Sequence, residues 1–88
     1  MTVHPDYRLQ YDLDGICLER REGEDWVWYC DVSDTAAMAW EGLEKRLPRE
    51  QLIDRLCTEF DGADPDAVAR DLDALTAQLT ALGLLLPD

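Results

Sequence analysis

Few side chains of this 88-residue sequence could perform chemistry, and they are not grouped. A nucleophilic site needs a base beside its nucleophile, and the only histidine, His4, lies in an N-terminal segment that we expect to be frayed. Cys17, Cys30 and Cys57 are widely spaced and include no C-x-x-C pair, which disfavours a zinc site. We therefore predict a protein without catalytic residues, metal or cofactor.

Composition excludes other function classes. There is no G-x-G-x-x-G or GK[ST] motif to hold a phosphate, and the acidic residues are scattered rather than spaced as in a calcium loop. The net charge of -12 opposes binding to nucleic acids and to anionic membranes. The N-terminus does not resemble a signal peptide, no apolar run could span a membrane, and an odd number of cysteines argues against disulfides. These features predict a cytoplasmic protein.

The segment DWVWYCD, residues 25–31, concentrates two of the three tryptophans. Its alternation predicts a strand with Trp26, Trp28 and Cys30 on one face and Val27 and Tyr29 on the other. If this strand lies at a sheet edge, its unpaired backbone groups could bind a peptide. The alternative is that both tryptophans simply belong to the core.

The first half of the chain predicts a three-stranded antiparallel meander, with strands at about 7–13, 16–21 and 26–32. In the first strand, Tyr7, Leu9, Tyr11 and Leu13 should share one face. The dipeptide Asp14-Gly15 suits the first hairpin turn, and the Gly-containing segment EGED suits the second.

The second half predicts three helices, at about 34–46, 48–60 and 65–82. Ser33 is a good N-cap for the first, Pro48 should open the second, and Asp64-Pro65 is a strong start for the third. Helical spacing places Trp40 in the core. The chain is long enough for one domain, residues 1–88, and the fold class is α+β, resembling a winged helix-turn-helix.

The third predicted helix carries two stripes. The core stripe consists of Val68, Leu72, Leu75, Leu79 and Leu82. The second stripe is formed by alanines seven residues apart, and it is flanked by polar residues. These alanines either reflect helix propensity alone or form a shallow floor that another backbone can approach. The alanines are Ala67, Ala74 and Ala81, and their neighbours are Arg70, Asp71 and Gln78.

A winged helix-turn-helix often binds DNA through its third helix, but here that helix has Arg70 as its only basic residue. The segment of about residues 26–86 instead resembles the PqqD-like family, also called recognition elements for ribosomally synthesised and modified peptides. The matching features are Val32-Ser33-Asp34-Thr35 before a helix with Trp40, the run Leu52-Ile53-Asp54-Arg55-Leu56, Glu59-Phe60, and Asp71 through Gly83-Leu84. Ser33 stands where the family usually has Asn, and both residues cap helices well.

The resemblance implies a small protein that binds the leader segment of a precursor peptide and presents it to a partner enzyme. Such a partner could be a radical-SAM protein, another modifying enzyme or a leader peptidase. The family binds the leader as an added strand on the edge of the third strand, beside the third helix. The alternative is an acidic winged-helix regulator that binds a protein partner.

The predicted site combines the third strand with one side of the third helix. Arg70 is the expected partner for a leader carboxylate, and the alanines are the expected floor. The predicted peptide-binding residues are Trp26, Val27, Trp28, Tyr29, Cys30, Asp31, Ala67, Arg70, Asp71, Ala74, Gln78 and Ala81.

Overall fold

The computed structural model describes residues 1–88 as five strands and three helices. Two of the strands are short and lie near the termini, and the other three precede the helices. The strands are β1 Thr2–Val3, β2 Tyr7–Asp12, β3 Gly15–Glu22, β4 Asp25–Val32 and β5 Leu85–Leu86. The helices are α1 Asp34–Glu44, α2 Arg49–Glu59 and α3 Pro65–Ala81.

The main sheet is antiparallel with the order β2-β3-β4, followed by three helices, so the predicted α+β fold class is confirmed. Each hairpin has a two-residue loop. Asp12 pairs with Gly15, which places Leu13 and Asp14 in the first loop rather than Asp14 and Gly15. The prediction that Leu13 shares a strand face with the other apolar residues of β2 is therefore wrong, and its side chain is fully exposed. In the second loop, Gly23 has a φ of 63°, which glycine adopts without strain.

The termini are also paired. Thr2 lies opposite Leu86 and Val3 opposite Leu85, and the amide of His4 donates to the carbonyl of Leu84. The expectation of a frayed N-terminus around His4 is wrong. A two-residue strand is too short to show alternation, so its pairing could not be recognised from the sequence.

A β-bulge interrupts the pairing of β3 with β4. Leu18 lies opposite Cys30 and Glu19 opposite Trp28, so Tyr29 is the extra residue. Because the bulge shifts the alternation by one residue, both Tyr29 and Cys30 pack against the core. The prediction that Cys30 shares a face with Trp26 and Trp28 is therefore wrong.

Each helix begins at a recognisable signal. The Ser33 hydroxyl accepts a hydrogen bond from the Ala36 amide, and the Asp64 carboxylate accepts one from the Asp66 amide. Pro48 is the N-cap of α2 rather than its first residue. These side chains or fixed backbone angles stabilise the first turns, where amides lack partners within the helix.

The core lies between the sheet and the helices. Trp40 is 2% exposed, which confirms its predicted core position, and it packs in a cluster with Leu18 and Leu79. A second cluster joins the helices through Ala39, Leu52 and Leu72. Leu82, expected in the core stripe, is instead 54% exposed and follows the last residue of α3, Ala81.

Candidate functional site

The main sheet has two open edges, one along β2 and the other along β4, and the edge of β4 is the one that borders α3. β4 pairs with β3 along one side only, and no strand of the chain occupies the other. Backbone N–H and C=O groups along such an edge are available to an extended peptide. A groove lies next to this edge, and its lining determines which side chains of a bound peptide would fit.

The groove is an apolar cavity of about 290 Å³ between β4 and α3. Its β4 side contains Tyr29, Cys30, Asp31 and Val32. Its α3 side contains Leu75, Gln78 and Leu79, with Leu82 following at the helix end, and Trp40 and Leu84 lie among the deeper residues. The remaining lining residues are Leu9, Leu18, Ser33 and Ala36.

A second apolar cavity, of about 360 Å³, continues the groove along α3 towards its N-terminus. It lies between the helices and is lined by residues that include Leu56, Phe60 and Val68. Ser33, Ala36 and Leu75 line both cavities. The two cavities therefore adjoin, and Ala36 lies where they meet.

Five of the predicted site residues line these cavities. Tyr29, Cys30, Asp31 and Gln78 border the groove, and Asp71 borders the second cavity. Trp26 and Trp28 belong to the opposite face of the sheet, which is described below, and Val27 pairs with Arg20 near the start of β4.

The predicted alanine floor is not part of either cavity lining. Ala74 and Ala81 are exposed and Ala67 is half-buried, and the leucines of α3 form the helix side of the groove instead. Arg70 is also exposed and lines neither cavity. At about 100° per residue around the axis of α3, the alanine stripe begins about 20° from Gln78, on the side away from Leu75 and Leu79.

Several groove residues were absent from the predicted site. Val32 belongs to the predicted third strand, Ala36 to the predicted first helix, and Leu75 and Leu79 to the predicted core stripe of the third helix, and all four line the groove. The sequence marks Leu75 and Leu79 as apolar positions of a helix stripe. A residue in such a stripe can face either the core or a groove at the border of the core. Periodicity alone does not separate these two environments.

The other face of the sheet, here called the outer face, carries charged and aromatic side chains. Nε of Arg8 donates to Oε1 of Glu19 at 2.9 Å, and the Arg8 guanidinium carbon lies 4.3 Å from the centre of the Trp26 ring. The Trp28 indole N–H donates to Oδ1 of Asp31 at 3.2 Å. β4 thus borders an apolar groove on one face and a polar, aromatic surface on the other.

The site holds no arrangement suited to nucleophilic chemistry. Burial raises the pKa of the Cys30 thiol, and the nearby charge of Asp31 raises it further. A thiol with a raised pKa is mostly protonated at neutral pH and is a poor nucleophile.

Comparison with known proteins identifies the family. The family model for coenzyme PQQ synthesis protein D (PqqD) matches residues 23–85, a span that contains β4 and all three helices. The chain belongs to the PqqD family. No curated protein sequence is significantly similar to it.

Two solved structures share the fold of this PqqD-family protein. One is TbiB1 in complex with the TbiA(beta) leader peptide, with a TM-score of 0.74, 21% sequence identity and 100% coverage of both chains. The other is lasso peptide synthetase B1 complexed with the leader peptide, with a TM-score of 0.75 and 21% identity over 97% of this chain and 95% of that one. None of the helices in this chain has the length and apolar character needed to cross a membrane.

Proposed function

We propose that this protein binds the leader segment of a ribosomally synthesised precursor peptide as an additional strand beside β4. The observation that carries the proposal is the free edge of β4 next to the apolar groove. A strand added there would alternate its side chains between the groove and the outer face. About five to eight residues would suffice, since that is the usual length of a strand.

Membership of the PqqD family supports this proposal. Both structural neighbours were solved with a leader peptide, which agrees with the same use of the fold. The alternative of an acidic regulator that binds a folded partner does not account for a groove beside an unpaired edge. Peptide binding uses both features.

The protein then acts as a non-catalytic partner. It presents the bound precursor to a separate enzyme, such as a radical-SAM enzyme or another modifying enzyme, or to a leader peptidase. The isolated protein should leave the peptide chemically unchanged, because no side chains are grouped for catalysis. Its cytoplasmic location would match that of peptide synthesis on ribosomes.

Two tryptophan substitutions test the groove. Ala36→Trp adds a large side chain where the cavities meet, whereas Ala74→Trp adds the same side chain on an exposed part of α3. Synthetic candidate leader peptides, taken from any short reading frames found beside the gene, would be titrated by calorimetry. We expect Ala36→Trp to weaken binding at least about tenfold, or about 1.4 kcal/mol, and Ala74→Trp to bind normally.

Circular dichroism of both variants would confirm that they are folded. Undiminished binding by folded Ala36→Trp would contradict the groove assignment. If Ala74→Trp alone lost binding, the peptide would lie on the alanine stripe of α3 instead.

A further inference from the structure

The outer face of the sheet binds one cation of the chain itself, the guanidinium of Arg8. Cross-strand pairing aligns Arg8 with Glu19 and Glu19 with Trp28 on this face. Arg8 contacts both the Glu19 carboxylate and the face of the Trp26 ring. One guanidinium thus combines an ion pair with a cation–π contact.

Trp28 has a similar arrangement without the cation. It is 63% exposed, its indole N–H is bonded to the carboxylate of Asp31, and no arginine or lysine of the chain lies over its ring. The adjoining cavity, of about 390 Å³, is lined by Trp28 together with Asp12, Asp14 and Asp31. An exposed indole beside carboxylates favours a cationic neighbour.

The chain supplies no cation to the cavity beside Trp28 or to the groove. None of its eight lysines and arginines lines the groove, the cavity that adjoins it, or the cavity beside Trp28. Five of them form ion pairs elsewhere: Arg8, Arg20, Arg21, Arg49 and Arg55. The net charge of -12 adds a long-range attraction for positive ligands.

Trp28 lies on an edge strand, so a peptide strand added to β4 would be the ligand that reaches its ring. Side chains of neighbouring strands on the same face lie about 5 Å apart, so an outward-facing residue of a strand added to β4 would contact Trp28 and Asp31. We infer that the leader bound by this protein carries a lysine or arginine at such an outward-facing position, between apolar residues that enter the groove. This inference rests on the proposed leader binding and names the class of peptide that is recognised.

A selection experiment tests the inference without knowledge of the natural leader. A library of randomised ten-residue peptides would be selected for binding to the wild-type protein, to Asp31→Lys and to Asp54→Lys. Asp54 is an exposed residue of α2 that lines none of the cavities, so its substitution makes the same change in net charge away from the site. Binding of each selected peptide to Ala36→Trp would report whether it uses the groove.

We expect wild-type and Asp54→Lys selections to be enriched in one lysine or arginine among alternating apolar residues, and the Asp31→Lys selection to lose that enrichment. In a synthetic binder, replacing the cation by glutamine should weaken binding about three- to thirty-fold, the combined size of an exposed ion pair and a cation–π contact. The loss should shrink at high salt, because exposed charges are screened.

The outcomes separate this inference from the proposed function. Peptides that need an open groove but show no basic enrichment, or an enrichment lost equally in Asp54→Lys, would contradict the inference alone. A library that yields no binder, or only binders indifferent to Ala36→Trp, would contradict groove binding and the inference together.

Discussion

The extra residue in β4, Tyr29, changes which side chains reach the core. Without a bulge, strict alternation would place Cys30 on the outer face with Trp28. With it, Tyr29 and Cys30 both pack against the core, and the Tyr29 ring meets Tyr7 edge-on at 5.2 Å between ring centres. The aromatic segment therefore serves two surfaces, with Trp26 and Trp28 outside and Tyr29 lining the groove.

A hydrogen bond should raise the pH at which the Tyr11 hydroxyl ionises. Its hydroxyl donates to the Glu41 carboxylate of α1, which raises the pKa of Tyr11 to about 12, with burial and the charges of Glu41 and Glu44 adding to the effect. A folded pKa above the unfolded value of 10.0 stabilises the fold below that pH, and this contribution is lost as pH rises through about 12.

Glu41→Gln should return the pKa of Tyr11 towards 10, because the charged acceptor is gone. NMR spectra of ring-labelled tyrosine, recorded against pH and assigned with Tyr11→Phe, would measure the shift. Identical Tyr11 titration curves in the wild type and in Glu41→Gln would show that the contact does not persist in solution.

The start of helix α1 depends on Ser33, which directly follows β4 and also lines the groove. Ser33→Ala removes the hydrogen bond to the Ala36 amide and should lower the free energy of unfolding by about 1 kcal/mol. Ser33→Asn should retain the cap and leave the stability near that of the wild type. Urea unfolding of the three proteins measures both effects, and a Ser33→Ala variant as stable as the wild type would contradict the capping role.

The three helices and the three main strands could be read from the sequence because their signals are local. Caps such as Ser33 and Asp64 act within a few residues, and period-two or helical spacing marks each segment. The bulge at Tyr29 could not be predicted, since it depends on the pairing of two strands. The groove lining was also missed in part, because Leu75 and Leu79 show the same spacing whether they face the core or a cavity.

The whole fold brings together β4, which ends at Val32, and α3, which begins at Pro65. The groove exists because α3 lies beside β4 without a further strand between them. The sequence predicts both elements, and the family resemblance implies that they bind the peptide together, which stays a prediction. The position of the alanine stripe depends on how far α3 is rotated about its axis, which only tertiary packing determines.

The claim that a leader peptide adds a strand to β4 is tested most directly by NMR spectroscopy of the isotope-labelled protein bound to a candidate leader peptide selected by the calorimetric titration. The claim predicts backbone contacts between the peptide and residues 26–31, slower amide exchange along that edge, and shifted resonances for Leu75, Gln78 and Leu79. It would be contradicted by a bound peptide whose contacts lie on α2 or on the free edge of β2, with the β4 amides exchanging as fast as in the free protein.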